Sequence, residues 1–206
     1  QIFGTESFQL AADRLIALLA KYRDTYSKEL PELDLGGGYG IAYLPEDETL
    51  EPGEVMPALR SAVTAACEKH KLNIPVISIE PGRAIVGPTT FTLYEVGTTK
   101  DVVLEDGATR RYISVDGGMS DNIRPSLYDA QYHAVIAQRS STAKPISSRV
   151  VGKHCETGDI VIRDISLPAD IAPGDLIAIP ATGAYGRSMA SNYNHVPRPP
   201  VIAVNN

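Results

Sequence analysis

The sequence predicts an α/β segment followed by a β domain, and two observations carry that prediction. Two short apolar runs, Leu33–Leu35 and Val76–Glu80, each lead into glycine and enclose one helix-length stretch, as in a parallel strand–helix–strand unit. From Thr89 onward, strand-like runs follow one another at short intervals, which is typical of an antiparallel β-sandwich or β-barrel. We place the boundary near Gly87-Pro88 and divide the chain into domains 1–88 and 89–206.

Residues 6–29 are predicted to form an amphipathic helix that ends before Pro31, because apolar side chains recur at helical spacing. The predicted buried face comprises Phe8, Ala11, Leu15, Leu18, Leu19, Tyr22 and Tyr26. A second helix is predicted over residues 53–71, and its inward positions are Val55, Leu59, Ala62, Val63 and Ala66. A (β/α)₈ barrel needs eight strand–helix units and the sequence shows about two. We therefore expect domain 1–88 to be the C-terminal part of a TIM-like barrel in a longer protein.

The β domain is predicted from eight strand-like runs, and we expect the domain to be incomplete at its end. Turn sequences such as Glu105-Asp106-Gly107 and Pro173-Gly174-Asp175 separate the runs, as expected for short connections. The runs are Thr89–Val96, Lys100–Leu104, Arg111–Val115, Ala134–Gln138, Arg149–Gly152, Asp159–Arg163, Leu176–Ile179 and Val201–Val204.

Composition excludes several classes of function. The net charge of −6 without a Lys/Arg block argues against a nucleic-acid partner. No apolar stretch approaches the length of about 20 residues that spans a membrane. Two cysteines are too few for a disulfide framework, which favours a cytoplasmic protein. No His/Cys cluster has metal-ligand spacing, so no metal is expected.

The two glycine-rich strand ends are the first candidate site. They read LDLGGGYG (residues 33–40) and EPGR (residues 80–83). Glycine lets the backbone approach a ligand closely, and two neighbouring strand ends with exposed N–H groups can hold a phosphate. In barrels, the loops after the last two strands are the usual phosphate site. Gly37, Gly38 and Gly82 are therefore candidate cofactor contacts, although two tight turns without a ligand are the alternative.

Charged residues beside the second glycine loop suggest a role for the ring of such a cofactor. Glu80 ends a strand and lies three residues before Arg83. A carboxylate in this position can accept a hydrogen bond from a protonated ring nitrogen and stabilise its charge. The alternative is an ion pair between Glu80 and Arg83, which contributes little where it is exposed.

Three further segments present candidate side chains. Arg124 and Tyr128 are four residues apart, so a helical turn would place them on one face to bind a carboxylate; a surface ion pair and a packed tyrosine are the alternative. Cys155 and Glu156 lie in the turn-like segment HCETGD, where a proton donor and a structural turn are both possible. Tyr185 lies in the small-residue loop ATGAYG, where its hydroxyl can contact a ligand or lie buried.

The motifs together resemble those of the diaminopimelate decarboxylase family, in the alanine-racemase-like (fold type III) class of pyridoxal-phosphate enzymes. The matching segments extend over nearly the whole chain and include LDLGGGYG, EPGRAIVGP, LYEVGTTKDV, YISVDGGMSDNIRPSLY, VGKHCETGD and ATGAY. GGG and EPGR also occur in related ornithine and arginine decarboxylases. SDNIRPSLY and HCETGD are more specific to the diaminopimelate enzymes.

The resemblance implies roles for the candidate residues. Gly37, Gly38, Gly82 and Arg83 correspond to cofactor contacts, with Glu80 at the pyridine nitrogen of pyridoxal 5′-phosphate. Cys155 corresponds to the proton donor. The implied substrate contacts are Arg83, Arg124, Tyr128, Glu156 and Tyr185, and Tyr185 also contacts the cofactor. The HCETGD segment implies a homodimer, because in this family it reaches the active site of the other subunit.

The implied reaction is the conversion of meso-2,6-diaminopimelate to L-lysine and carbon dioxide, the last step of lysine biosynthesis. The family's Schiff-base lysine and its ring-stacking histidine lie upstream of Gln1, so this stretch of chain alone is expected to be inactive. Gly186 stands where many relatives carry Cys. The alternatives are a catalytically dead binding module and a related decarboxylase with a different amino-acid substrate.

Overall fold

The protein folds into two compact units, and the computed structural model describes residue 4 and residues 6–49 and 51–205. The first unit contains the described residues up to Ala42 together with Glu46–Ile85. The second unit contains Tyr43–Pro45 and the chain from Val86 onward. No helix among the described residues is both long enough and apolar enough to cross a membrane.

The first unit is an α/β arrangement built on two parallel strands. Its elements in chain order are α1 (Glu6–Tyr26), β1 (Glu32–Asp34), α2 (Pro52–His70), β2 (Val76–Ser78) and α3 (Gly82–Val86), whose last residue belongs to the second unit. Strand β1 pairs with β2 in parallel, with Leu33 opposite Ile77. Parallel neighbours need a crossover connection, and helix α2 lies within it. The predicted strand–helix–strand unit is therefore present.

Helices α1 and α2 enclose the core of the first unit with strand β1. The buried residues of this core are Phe8, Ala12, Ile16, Leu33, Leu35, Tyr39, Val55, Leu59, Val63, Ala66 and Cys67. The predicted inner face of α2 is nearly correct. The predicted face of α1 is partly wrong, because Leu18 and Tyr26 are exposed and Ala12 and Ile16 are fully buried. The buried residues Phe8, Ala12, Ile16 and Ala20 recur every four residues, so the buried stripe is rotated around the helix relative to the predicted one.

The second unit is a six-stranded sheet. Its strands are β3 (Thr92–Val103), β4 (Thr109–Val115), β5 (Val135–Ile136), β6 (Pro145–Val151), β7 (Ile160–Pro168) and β8 (Leu176–Ile179). Helix α4 (Arg124–Tyr128) lies between β4 and β5. The strand order is β5-β8-β3-β4-β6-β7.

The sheet is mixed, which corrects the expectation of an antiparallel domain. Strand β4 pairs with β6 in parallel, whereas the other four pairings are antiparallel. The segment 116–144 connects these two strands, and it is long enough to return the chain to the same end of the sheet. That segment contains α4 and the SDNIRPSLY motif, so the crossover also carries candidate site residues.

Two predicted strand assignments in this unit are wrong. The runs Thr89–Val96 and Lys100–Leu104 belong largely to the single strand β3, whose register shifts between Val96 and Thr99; such a bulge bends a strand without ending it. Residues Val201–Val204 form no strand. Their side chains are largely exposed, and no described strand pairs with them.

Candidate functional site

The two glycine-rich segments lie side by side at the ends of β1 and β2. The Leu35 amide donates to the Ser78 carbonyl at 3.0 Å, and the Glu80 amide donates to the Gly36 carbonyl at 2.9 Å. These bonds continue the parallel pairing beyond the strands and into both loops. The ends of β1 and β2 therefore bring Gly37, Gly38 and Glu80 together in the first unit.

The close approach of these loops requires glycine at position 37. A Cβ atom on Gly37 would lie 2.5 Å from the Glu80 carbonyl oxygen, well inside van der Waals contact. Gly38 has a φ of 96°, which L side chains disfavour. Within the described residues, the amides of Gly37 and Gly38 donate to no backbone carbonyl. Two consecutive amides that have no backbone acceptor in the described part of the chain fit a phosphate group.

Glu80, Gly82 and Arg83 lie where β2 leads into α3. The Glu80 side chain is exposed, and the Gly82 amide donates to the Glu80 carbonyl at 2.9 Å. The end of β2 thus places Glu80 beside the Gly36–Gly38 loop, with Gly82 and Arg83 directly after it.

Arg124 is a buried cation in the second unit. Only 8% of the residue is exposed, although it begins the short helix α4. In the part of the chain that the structure describes, no carboxylate forms an ion pair with its guanidinium group. Its neighbours are instead aromatic, because the guanidinium carbon lies 4.7 Å from the ring centre of Tyr43 and 5.7 Å from that of Tyr132. A buried guanidinium without an anion is suited to bind one.

Helix α4 also carries Tyr128, which is its last residue and lies four residues after Arg124. Tyr128 is 62% exposed, unlike Arg124 at the start of the same helix. The helix ends at Asp129, whose φ of 51° is left-handed and whose amide donates to the Arg124 carbonyl. One helical turn thus carries both a buried cation and an exposed phenol.

Cys155 and Glu156 lie together in an exposed turn that the buried Asp159 holds. The Asp159 carboxylate accepts hydrogen bonds from the amides of Met119, at 2.6 Å, and His154, at 2.7 Å. A Cβ on Gly152 would lie 2.2 Å from this carboxylate, so glycine is required for the carboxylate to fit. Asp159 thereby connects the turn to the loop that follows β4.

A second set of contacts supports the Glu156 side chain. The Tyr193 hydroxyl donates a hydrogen bond to the Glu156 carboxylate, and the Tyr193 ring packs edge-on against His154 at 5.3 Å. The His154 ring in turn forms a hydrogen bond of 2.8 Å with the Ser120 hydroxyl. The hydrogen bond to Glu156, and then the charge of that carboxylate, raise the pKa of Tyr193. The phenol therefore stays protonated as a donor.

Tyr185 lies in a tightly constrained loop. Its φ is 60°, a left-handed value that bulky residues rarely adopt, and its side chain is partly exposed. A Cβ on Gly183 would lie 1.8 Å from the Val86 carbonyl oxygen, and one on Gly186 would lie 2.6 Å from that of Thr182. The loop as folded here therefore has room only for glycine at position 186.

The residues that sequence reasoning missed are supporting residues rather than candidate ligands. Asp159, Ser120 and Tyr193 act on the Cys155–Glu156 turn, and Tyr43 and Tyr132 surround Arg124. A signal existed for Asp159, since a polar residue between a glycine and a strand often accepts hydrogen bonds from turn amides. Tyr43 lies far from Arg124 in the sequence, so no local pattern connects them.

Two family matches cover almost the whole chain. Residues 1–87 match the pyridoxal binding domain of the pyridoxal-dependent decarboxylases. Residues 58–183 match the C-terminal sheet domain of the same enzymes.

Individual relatives agree with these matches. The chain is 50% identical over 204 residues to the diaminopimelate decarboxylase of Corynebacterium efficiens, covering 99% of this chain and 44% of that protein. It resembles the crystal structure of the Helicobacter pylori diaminopimelate decarboxylase complexed with L-lysine, with a TM-score of 0.79 and 32% identity over 96% of this chain and 45% of the other. The M. jannaschii diaminopimelate decarboxylase gives a TM-score of 0.85 at 27% identity, over 97% and 43%.

The chain spans about half the length of the curated relatives it matches. The match to the sheet domain alone extends over more than half of this chain, and the match to the pyridoxal binding domain covers the whole of the first unit. The chain belongs to the pyridoxal-dependent decarboxylase family.

Proposed function

We propose that the protein to which this chain belongs decarboxylates meso-2,6-diaminopimelate to L-lysine and carbon dioxide. The 50% identity to a diaminopimelate decarboxylase over nearly the full chain supports this reaction. The L-lysine in the related H. pylori structure supports an amino-acid ligand. On this proposal, the first unit is the C-terminal part of a TIM-like barrel.

The substrate class is inferred from the buried Arg124, which has no carboxylate partner among the residues that the structure describes. An arginine forms two parallel hydrogen bonds with a carboxylate, which adds geometric specificity to the charge attraction. Diaminopimelate has a second carboxylate at the end that does not react. We assign Arg124 to this distal carboxylate, with Tyr128 as a hydrogen-bond donor to it, and Arg83, Glu156 and Tyr185 as further substrate contacts.

The residues of the first unit fit pyridoxal 5′-phosphate. The amides of Gly37 and Gly38, which bond to no described backbone carbonyl, suit the phosphate, and Gly82 and Arg83 are assigned as further cofactor contacts. The Glu80 carboxylate suits the protonated ring nitrogen. When bound, the cofactor acts as an electron sink that accepts the electron pair of the bond to the departing carboxylate. Tyr185 of the second unit is assigned as a further cofactor contact.

The exposed Cys155 thiol is assigned as the proton donor to the carbon that loses carbon dioxide. Its turn is exposed, which suits a segment that completes a site in another subunit. We therefore propose a homodimer in which the Cys155–Glu156 turn serves the partner's active site. The low cysteine count is the basis for proposing a cytoplasmic location.

The test measures carbon dioxide release from meso-diaminopimelate by the full-length protein and its Arg124→Ala variant. Losing a charge-assisted bond costs about 1.5–3 kcal/mol, so we expect kcat/KM to fall by roughly ten- to a hundredfold, mainly through KM. Arg163→Ala is the matched control, because Arg163 is an exposed arginine of the same sheet unit. An unchanged KM in Arg124→Ala would contradict the carboxylate assignment, and activity on ornithine instead would contradict the substrate.

A further inference from the structure

Two buried tyrosines fix the orientation of the Arg124 guanidinium group. The Tyr132 hydroxyl lies 2.5 Å from Nη1 of Arg124. The guanidinium carbon is within cation–π distance of both the Tyr43 and the Tyr132 rings. The two rings meet edge to face, with centres 5.2 Å apart and planes at 88°. The guanidinium is therefore restrained by one hydrogen bond and by two aromatic rings that restrain each other.

These contacts orient the arginine without neutralising it. A guanidinium can only donate hydrogen bonds, so the Tyr132 hydroxyl is the acceptor. Burial raises the pKa of Tyr132, and this outweighs the opposing effects of Asn122 and Arg124, so the hydroxyl is neutral. A carboxylate in the same place would cancel the charge of Arg124, whereas a phenol leaves that charge for a ligand.

We propose that Tyr132 and Tyr43 are positioning residues that set the selectivity for a ligand carboxylate through Arg124. This inference rests on the proposed function, in which Arg124 binds the distal carboxylate. A guanidinium held in one orientation presents its hydrogen-bond fork without the loss of side-chain freedom that a mobile arginine incurs on binding. Ligands that carry the distal carboxylate gain from this restraint, and ligands that lack it do not.

The test compares two ligands of the full-length holoenzyme by titration calorimetry. L-lysine retains the distal carboxylate after decarboxylation, and cadaverine (1,5-diaminopentane) is the same diamine without it. Tyr132→Phe removes the hydroxyl and keeps the ring, so the cation–π contact remains. We expect the affinity for L-lysine to fall about tenfold, as for the loss of one hydrogen bond to a charged group. We expect the affinity for cadaverine and the absorbance of the bound cofactor to stay unchanged.

Tyr94→Phe is the matched control. Tyr94 is also a buried tyrosine of the second unit, and its hydroxyl has no hydrogen-bond partner among the described residues. The control therefore makes the same chemical change without touching Arg124. We expect it to leave the affinities for both ligands unchanged.

Repeating the substitution in a variant that lacks Arg124 distinguishes a positioning role of Tyr132 from a general structural effect. In an Arg124→Ala enzyme, Tyr132→Phe should cause no further loss of L-lysine affinity, because the residue acts through Arg124. Equal losses for L-lysine and cadaverine, or a loss that persists without Arg124, would overturn the proposal. A wild-type enzyme that releases no carbon dioxide from meso-diaminopimelate would contradict the proposed function instead, and the calorimetry would still decide the role of Tyr132.

Discussion

The hydrogen bond from Tyr193 to Glu156 predicts a titration that can be measured at a single residue. Glu156 raises the pKa of Tyr193, first through the hydrogen bond and then through its negative charge. Glu156→Gln removes the charge, so we expect the Tyr193 pKa to move down toward the ordinary value of about 10. Tyrosine-selective ¹³C NMR across alkaline pH measures this shift, with Tyr193→Phe assigning the signal.

The matched control for this titration is Glu105→Gln, which removes a glutamate from the exposed turn between β3 and β4. It should leave the Tyr193 signal unmoved. A Tyr193 pKa that is the same in Glu156→Gln as in the parent protein would show that this hydrogen bond does not persist in solution. In that case the Tyr193 hydroxyl would not hold the Glu156 side chain in the position that we infer for a substrate contact.

At the scale of elements, the Cys155–Glu156 turn depends on Asp159 to hold it against the loop after β4. Asp159 accepts from the amides of Met119 and His154 through its two carboxylate oxygens. Asp159→Asn supplies only one oxygen, so its amide nitrogen would face one of these donors. Because a buried donor would lose its acceptor, we expect the free energy of unfolding to fall by about 1–3 kcal/mol, as measured by urea denaturation.

Asp164→Asn is the control for that substitution. Asp164 lies on β7 and pairs with Arg110 and Arg149, but its side chain is 61% exposed. Exposed ion pairs contribute about 0–1 kcal/mol, so this variant should be close to the parent protein in stability. Equal effects of the two substitutions would mean that Asp159 acts only as a surface charge.

Elements whose pattern is local were predictable, and pairings over long sequence distances were not. Helix α2 was found because Val55, Leu59 and Val63 recur at its period, and β8 because turn residues precede it. The parallel pairing of β4 with β6 depends on a long crossover, which leaves no local signal. Val201–Val204 has the composition of a strand, but a strand also needs a partner to bond with.

In the candidate site too, neighbours that follow from the strand pairing were predictable, and contacts between residues remote in sequence were not. Gly37 and Glu80 were predictable as neighbours because parallel strands bring their ends together. The aromatic surroundings of Arg124 were not, since Tyr43 is remote in sequence and Tyr132 lies beyond the end of α4. Motifs therefore supplied the candidate ligand contacts, which stay predictions, whereas the residues that hold these candidates in place required the three-dimensional structure.

For the whole molecule, paired carboxylates of the second unit predict how stability responds to acid. Hydrogen bonds from Arg111 lower the pKa of Asp101, and those from Arg139 lower the pKa of Asp175. The pKa of Asp170 is also lowered, by Ser141 and then by Arg139. A lowered folded-state pKa means that the unfolded chain takes up protons first. This contribution to stability is complete above the unfolded value of about 3.9 and is lost as the pH falls through the folded values.

Arg139→Gln tests this dependence, because Arg139 donates to Asp175 at 2.6 and 2.9 Å and to Asp170 at 2.9 Å. We expect the variant to be less stable than the parent at pH 7 and the difference to shrink as the pH is lowered from 5 to about 2, in urea denaturation at constant ionic strength. Arg163→Gln, which removes a 3.7 Å pair with the exposed Asp129, should show no such convergence. A stability difference that stayed constant down to pH 2 would mean that Arg139 acts through packing and its bond to the Asp170 carbonyl, because neither contact depends on carboxylate charge.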